Sequence, residues 1–252
     1  MRKKTRRWRL SRLLLKVLIT LMLISWIPVL LLRWIPPPTT AFMLQQKHSP
    51  QYRYDWMDWR QLGTRPALAV MAAEDQKFPE HYGFDTGAIQ SAVIDKLDGK
   101  PLRGASTISQ QVSKNLFLWP GRQMSRKALE VWFTLLIELS WPKQRILEVY
   151  LNIVELGPGL YGFPEASRRY FGLNPAQLSD DQAALLAAVL PNPIVLQANN
   201  PSVYLRERQR WIRQQMQQLR RDGWIGKIAT HTGLLFLPAD CPSTSGQNRL
   251  RG

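Results

Sequence analysis

Ser179-Asp180-Asp181-Gln182-Ala183-Ala184-Leu185-Leu186-Ala187-Ala188-Val189-Leu190-Pro191 holds a start signal, an apolar body and a stop within one short stretch. The Ser179 side chain can cap the free N–H groups of a first helical turn, and Gln182, three residues on, can return the bond to Ser179. Leu178 stands ahead of this capping box, and the apolar run 183–190 follows until Pro191 interrupts it. The spacing predicts a helix, and the sequence on both sides of it predicts more of them.

Downstream, a helix is expected over 203–222, ending at Gly223. Upstream, 67–75 and 128–139 carry apolar residues at helical spacing, and Pro142 is placed to open a helix that runs through Leu151. Alternating strand patterns are scarce and no internal repeat is present, so the fold class is mainly α. With 45% hydrophobic residues in 252, the chain can bury one sizeable core, which excludes disorder, collagen and a solenoid. Cys241 stands alone and cannot form an intrachain disulfide, and His48, His81 and His231 do not cluster at metal-ligand spacing.

The charge is uneven. Of the +16 formal net charge, eight basic residues fall within positions 1–16, and the chain beyond residue 35 is only +7. An uncharged stretch, 17–32, follows the basic run and extends back through Leu13 if Lys16 snorkels, which gives about 20 residues, enough to span a bilayer. The positive flank places the N-terminus in the cytoplasm and the bulk of the chain outside it. Arg33-Trp34-Ile35-Pro36-Pro37-Pro38 does not offer the small-x-small pattern of a signal-peptidase site, so a retained anchor is expected. A basic run can also bind nucleic acid, but its junction with an apolar span favours topology and anionic lipid. The expected organisation is a basic cytoplasmic tail over 1–16, a transmembrane anchor over 17–35, a membrane-proximal segment over 36–65, a helical catalytic domain over 66–237 and a flexible tail over 238–252. Tyr52, Tyr54, Trp56 and Trp59 in the proximal segment suit either the headgroup level or the core.

Three polar constellations lie within the helical domain. Glu74 ends an apolar stretch, where desolvation favours its protonated form and makes it a better base near neutral pH; a surface Glu paired with Lys77 is the plainer alternative. Ser106, Thr107, Gln110 and Gln111, with Lys114 and Asn115 beyond, supply neutral donors and one cation suited to sugar hydroxyls and phosphate oxygens, or simply form a Ser-capped polar helix. Arg122, Arg126 and Lys127 precede Glu130, which shares a helix face with Arg126 as a ligand-binding group or as an ordinary ion pair.

Taken in order, these segments form Glu74-Asp75-x-x-Phe78-x-x-His81-x-Gly83-Phe84-Asp85, Gly104-x-Ser106-Thr107-Ile108-x-Gln110-Gln111-x-x-Lys114-Asn115 and Arg126-Lys127-x-x-Glu130. Lys143-x-x-Ile146-Leu147-Glu148-x-Tyr150-Leu151-Asn152 and Gly159-x-Tyr161-Gly162-x-x-x-Ala166-Ser167-x-x-Tyr170-Phe171-Gly172 follow. Over roughly residues 66–200 the chain resembles the monofunctional biosynthetic peptidoglycan glycosyltransferases and the glycosyltransferase half of class A penicillin-binding proteins. The resemblance implies a lysozyme-like helical domain that polymerises lipid II, with a growing strand on undecaprenyl diphosphate as donor. It implies Glu74 as the base toward the acceptor's 4-hydroxyl and Glu130 as a second acidic residue able to hold a divalent cation, Mg2+ in the first instance. It further implies Lys114, Arg122 and Arg126 as diphosphate ligands, with Ser106, Thr107, Gln110, Gln111, Asn115 and Lys127 also in the substrate site. Membrane lipids, and proteins of division or elongation, are the implied surroundings at the bacterial inner membrane. Nucleic acid is not an expected partner.

A departing diphosphate needs its charge neutralised, and cations do this without proton transfer. The Arg-rich helix around Arg206, Arg208, Arg210, Arg213, Arg220 and Arg221 suggests a solvated face, or lipid phosphate contacts. Gly157-Pro158-Gly159-Leu160-Tyr161-Gly162 matches a dinucleotide fingerprint as a string, but it follows a helical segment with no βαβ unit around it. Ser140-Trp141-Pro142-Lys143 matches Ser-x-x-Lys without the other penicillin-reactive motifs, so no transpeptidase activity is expected. A lytic peptidoglycan-cleaving enzyme is the nearest rival, but it would have no use for the basic cluster. An inactive assembly scaffold would be expected to have lost Glu74 or Glu130.

Overall fold

The computed structural model describes residues 2–45, 52–97, 106–121 and 123–230. The chain is mainly α, as the patterning predicts. Helix α1 (Arg2–Ile24) and helix α2 (Trp26–Leu32) carry the apolar stretch, followed by α3 (Ala41–Leu44), α4 (Trp59–Leu62), α5 (Thr64–Glu74), α6 (Thr86–Leu97) and α7 (Ile108–Phe117). Then come α8 (Met124–Ser140), α9 (Lys143–Ile153), the strands β1 (Glu155–Gly157) and β2 (Leu160–Tyr161), α10 (Gly162–Phe171), α11 (Asp180–Ala188), α12 (Val203–Arg221) and α13 (Trp224–Thr230). The expected tail over 238–252, with Cys241, lies outside the described residues, as do His48, His231, Arg122 and Gly104.

The core is built around α5. Its residues from Pro66 to Ala72 are all buried, which a helix tolerates only when neighbours cover it on every side. Helix α11 covers one side with the buried run from Ala183 to Ala188, and its small side chains let the two helices approach closely. Ser179 and Gln182 close their capping box as the sequence suggests. The helix stops at Ala188 rather than running to Leu190, because the residue before Pro191 is disfavoured in the α conformation. Helix α12 lies across both, burying Leu205, Ile212, Met216 and Leu219.

The second lobe is α7 packed on α8 and α9. Its interior holds an ion pair, Lys143 Nζ to Glu138 Oε1 at 2.8 Å, with both side chains almost fully buried. Ser109 donates to the same carboxylate, Lys143 donates to the His81 carbonyl at 2.6 Å, and its ammonium sits 4.4 Å from the centre of the Phe78 ring. The loop after α5 is thereby tied to α8 and α9. Gly83 in that loop has φ +83°, and a Cβ there would lie 2.7 Å from Thr134 Cγ2. The Gly157–Gly162 string forms an antiparallel β1–β2 hairpin, not a phosphate loop. Gly162, at φ +81°, passes so close to Asn152 that a Cβ would sit 2.3 Å from its carbonyl oxygen.

The apolar segment is not one straight helix. Pro28 cannot donate to the carbonyl of Ile24 and crowds it, and the chain turns at Ser25. The part before the turn leaves Leu18, Leu21 and Leu23 exposed, whereas α2 docks on α8. Trp132 Nε1 donates to Ser25 Oγ at 2.9 Å and Trp141 Nε1 to the Val29 carbonyl at 2.8 Å. Arg145 adds bonds to the carbonyls of Leu32 and Ile35. Tyr54, Trp56 and Trp59 pack against the core.

Candidate active site

Glu74 is the last residue of α5, and the chain turns away immediately after it. Asp75 fixes that turn. Its Oδ1 contacts His81 Nε2 at 2.9 Å and its Oδ2 accepts the backbone N–H of Ile108 at 3.0 Å, so one carboxylate joins the end of α5 to the start of α7. A carboxylate is favourable there because the first N–H groups of α7 have no partner within the helix. Thr107 caps the same terminus in a capping box with Gln110, and its hydroxyl donates to the Gly83 carbonyl at 2.7 Å. The cap is therefore a threonine, Thr107, rather than a serine.

This join places Gln111, one turn into α7, beside Glu74. Its amide Nε2 donates to Glu74 Oε2 at 3.2 Å, and its own Oε1 accepts from Tyr150 at 3.1 Å, which fixes the orientation of the amide. On the opposite side Arg208 of α12 donates to Glu74 Oε1 at 3.4 Å and to the Ala73 carbonyl at 3.3 Å. Burial pushes the Glu74 carboxyl up from the ordinary range and Asp75 adds to the shift, while the Gln111 bond, Arg208 and Lys114 oppose it. Lys77 is not its partner.

Lys114 follows one turn after Gln111. Among the described residues it makes no ion pair, its ammonium stands 5.6 Å from the Phe42 ring, and burial lowers its pKa from the usual lysine value. Helix α8 supplies the facing wall. Arg126 Nη1 donates to Glu130 Oε2 at 2.7 Å, Lys127 bonds Glu130 Oε1, and the Glu130 side chain is 4% exposed. The pair is buried, unlike an ordinary surface i,i+4 pair. Lys114, Arg126, Lys127, Glu130, Gln110, Gln111, Ser106 and Phe42 line a cavity of about 430 Å³. A smaller cavity of about 230 Å³ is lined by Glu74, Asp75, Lys77, Asp85, Ser106 and Thr107. Ser106 borders both, so a basic chamber and an acidic one adjoin, with the Gln111 side chain bonding across to Glu74. Asn115 is buried on α7 and lines neither cavity; Arg122 lies outside the described residues.

A divalent cation here would be held by Glu130 together with substrate phosphates and water rather than by a cage of protein ligands. Among the described residues no group of three or more His, Cys, Asp or Glu could hold a metal, and both oxygens of Glu130 are engaged by Arg126 and Lys127.

Sequence reasoning missed Arg208, which it left on a solvated or lipid-facing helix. The signal was available: Arg208 falls in the stripe Leu205, Arg208, Ile212, Met216, Leu219, where a cation interrupts an otherwise apolar face. Arg213 and Arg220 on the same helix pair with Asp181 and Asp180 of α11.

A desolvated carboxylate beside a chamber of cations is the equipment of a group-transfer enzyme with an anionic leaving group. The chain belongs to the transglycosylase family, which it matches over residues 42–217. It is similar to the biosynthetic peptidoglycan transglycosylase of Ectopseudomonas mendocina, with 53% identity over 226 residues that cover 87% of this chain and 93% of that one. Those of Stutzerimonas stutzeri and Pseudomonas aeruginosa are 52% and 50% identical, covering 84% and 87% of this chain and 91% and 97% of theirs. The activity is peptidoglycan glycosyl transfer on a mainly helical, lysozyme-like fold.

Proposed function

We propose that the protein polymerises lipid II into glycan strands at the outer face of the bacterial cytoplasmic membrane, with release of undecaprenyl diphosphate. One observation carries the reading: Glu74, pushed toward its protonated form by burial, is linked through Gln111 to a chamber lined by Lys114, Arg126 and Lys127. In this mechanism the acceptor sugar enters the acidic chamber and Glu74 takes the proton from its 4-hydroxyl. The oxygen attacks the donor's anomeric carbon as the bond to the diphosphate oxygen breaks on the opposite face, giving inversion, as in an inverting glycosidase with a sugar hydroxyl in place of water. The basic side chains neutralise the departing charge without themselves losing a proton. Glu130 holds Arg126 and Lys127 in place. Ser106, at the junction, and Gln110 and Gln111 offer donors to sugar and phosphate oxygens.

The membrane reading rests on the exposed apolar window Leu15–Leu32, of mean hydropathy 2.4, behind a basic N-terminus. Both substrates carry polyprenyl tails, so an anchor with α2 docked on α8 keeps the site at the bilayer surface. Residues 66–237 form the catalytic domain in this scheme, and proteins of division or elongation are the partners the anchor would meet.

The test is to incubate the detergent-solubilised protein with lipid II, alongside Glu74→Gln, and to separate the products by size. Penicillin-insensitive long glycan from the wild type alone supports the reading. Intact lipid II with cleavage of preformed peptidoglycan overturns it in favour of a lytic enzyme.

A further inference from the structure

We propose that Arg208 of α12, which lies outside every motif noted in the sequence, is a positioning residue for the transfer: it fixes the Glu74 carboxylate against Gln111 and keeps it anionic while the diphosphate is bound. The proposal rests on Glu74 being the base. The carboxylate is held at one oxygen by Gln111 and at the other by Arg208, whose second bond, to the Ala73 carbonyl, fixes the guanidinium to the last turn of α5. Among the described residues Arg208 Nε is buried without a hydrogen-bond partner. Such a donor is costly to leave unsatisfied, so the guanidinium is not there for packing economy.

The surroundings of Glu74 show why this cation matters. Helix α7 contributes Lys114 and neutral Gln111, the loop after α5 contributes Asp75, and α9 contributes Tyr150 through Gln111. Lys77 and Asp85 border the same chamber, and the Asp180 and Asp181 carboxylates of α11 are tied to Arg220 and Arg213. Only two cations therefore oppose desolvation at Glu74 among the groups that act on it: Lys114 and Arg208. Lys114 lines the basic chamber and its charge is cancelled when a diphosphate binds there. Arg208 lines neither chamber and keeps its charge free for Glu74 throughout the reaction.

The experiment is the pH dependence of lipid II polymerisation at saturating substrate by the full-length, detergent-solubilised wild type, Arg208→Met and Arg208→Lys, with thermal melting of each. In Arg208→Met the acid limb of kcat is expected to move up by about one pH unit, an approximately tenfold loss at acidic pH that is recovered as pH rises. Arg208→Lys is expected to restore much of the wild-type profile. An unmoved acid limb with a uniform loss at every pH overturns the proposal. Should Arg208→Met fail to fold, Arg208→Gln carries the same prediction, since the amide keeps a hydrogen bond and not the charge. Glu74→Gln separates the two ideas: persistent turnover in that variant removes the base itself, whereas its inactivity alongside an unmoved limb in the Arg208 variants removes only the role of Arg208.

Discussion

Glu74 and Glu130 are the same residue type at helix positions that both meet α7, and their surroundings differ. Glu74 is held by one neutral donor and one cation, Gln111 at 3.2 Å and Arg208 at 3.4 Å, and burial pushes its proton affinity up. Glu130 is saturated, with one oxygen 2.7 Å from Arg126 and the other bonded to Lys127. Burial makes a carboxylate such as Glu74 a better base near neutral pH, whereas Glu130 has both oxygens engaged by Arg126 and Lys127. In the proposed mechanism, proton transfer and charge neutralisation are thus separated by one helix.

The strongest way to break this comparison is to neutralise Glu74. Glu74→Gln is expected to leave the fold intact and to cut polymerisation by about a thousandfold, within the usual range for a general base. Because the active form is deprotonated and burial raises its pKa, the wild-type rate is expected to rise with pH through a limb above the ordinary carboxylate range. That limb should be absent from any residual activity of the variant, and an unchanged pH–rate profile would count against Glu74.

Glu130→Ala is expected to act through structure. It leaves Arg126, whose side chain is 10% exposed, without its anionic partner. Breaking a buried pair from one side costs about 3 to 5 kcal/mol, so the melting temperature should fall and donor binding with it. The acid limb of whatever turnover survives is expected to stay where it was. A shifted limb at unchanged stability would give Glu130 the proton-transfer role instead.

Lys114→Ala is expected to raise the lipid II KM by about tenfold with a smaller effect on kcat, since a charge-assisted phosphate contact is lost while Glu74 remains. Burial lowers the pKa of Lys114, so its charge is lost at a lower pH than in an ordinary lysine. A basic limb in kcat/KM should follow, and Lys114→Arg should push that limb upward.

Much of this arrangement was legible beforehand because it is local. The capping box at Ser179, the apolar body of α5 ending at Glu74 and the i,i+4 spacing of Arg126 and Glu130 are set by neighbouring residues, and the structure places them as the spacing predicts. What escaped depends on contacts across long stretches of chain. Arg208 meets Glu74 over 134 residues, Trp141 meets Val29 over 112, and no periodicity encodes either contact. The turn at Ser25 had a local cause in Pro28, yet hydropathy averaging passes over it and registers one continuous span. Glu130 could be placed on a face with Arg126 from spacing, but its burial follows only from the packing of α8 on α7.

The smallest expected effect lies where the two chambers meet. Thr107 caps α7 and donates to Gly83, so its side chain holds both the helix that carries Gln111 and Lys114 and the loop beyond Glu74. Ser179 caps α11 by the same chemistry, but α11 lines neither chamber. Each cap is worth about 1 kcal/mol, so Thr107→Ala and Ser179→Ala should lower stability by similar amounts in denaturant melts. Only Thr107→Ala is expected to lower turnover, by a few-fold, because it loosens Gln111 against Glu74 as well as the helix end. Equal turnover in the two variants would mean that Asp75, through its bond to the Ile108 N–H, is enough to hold the chambers in register.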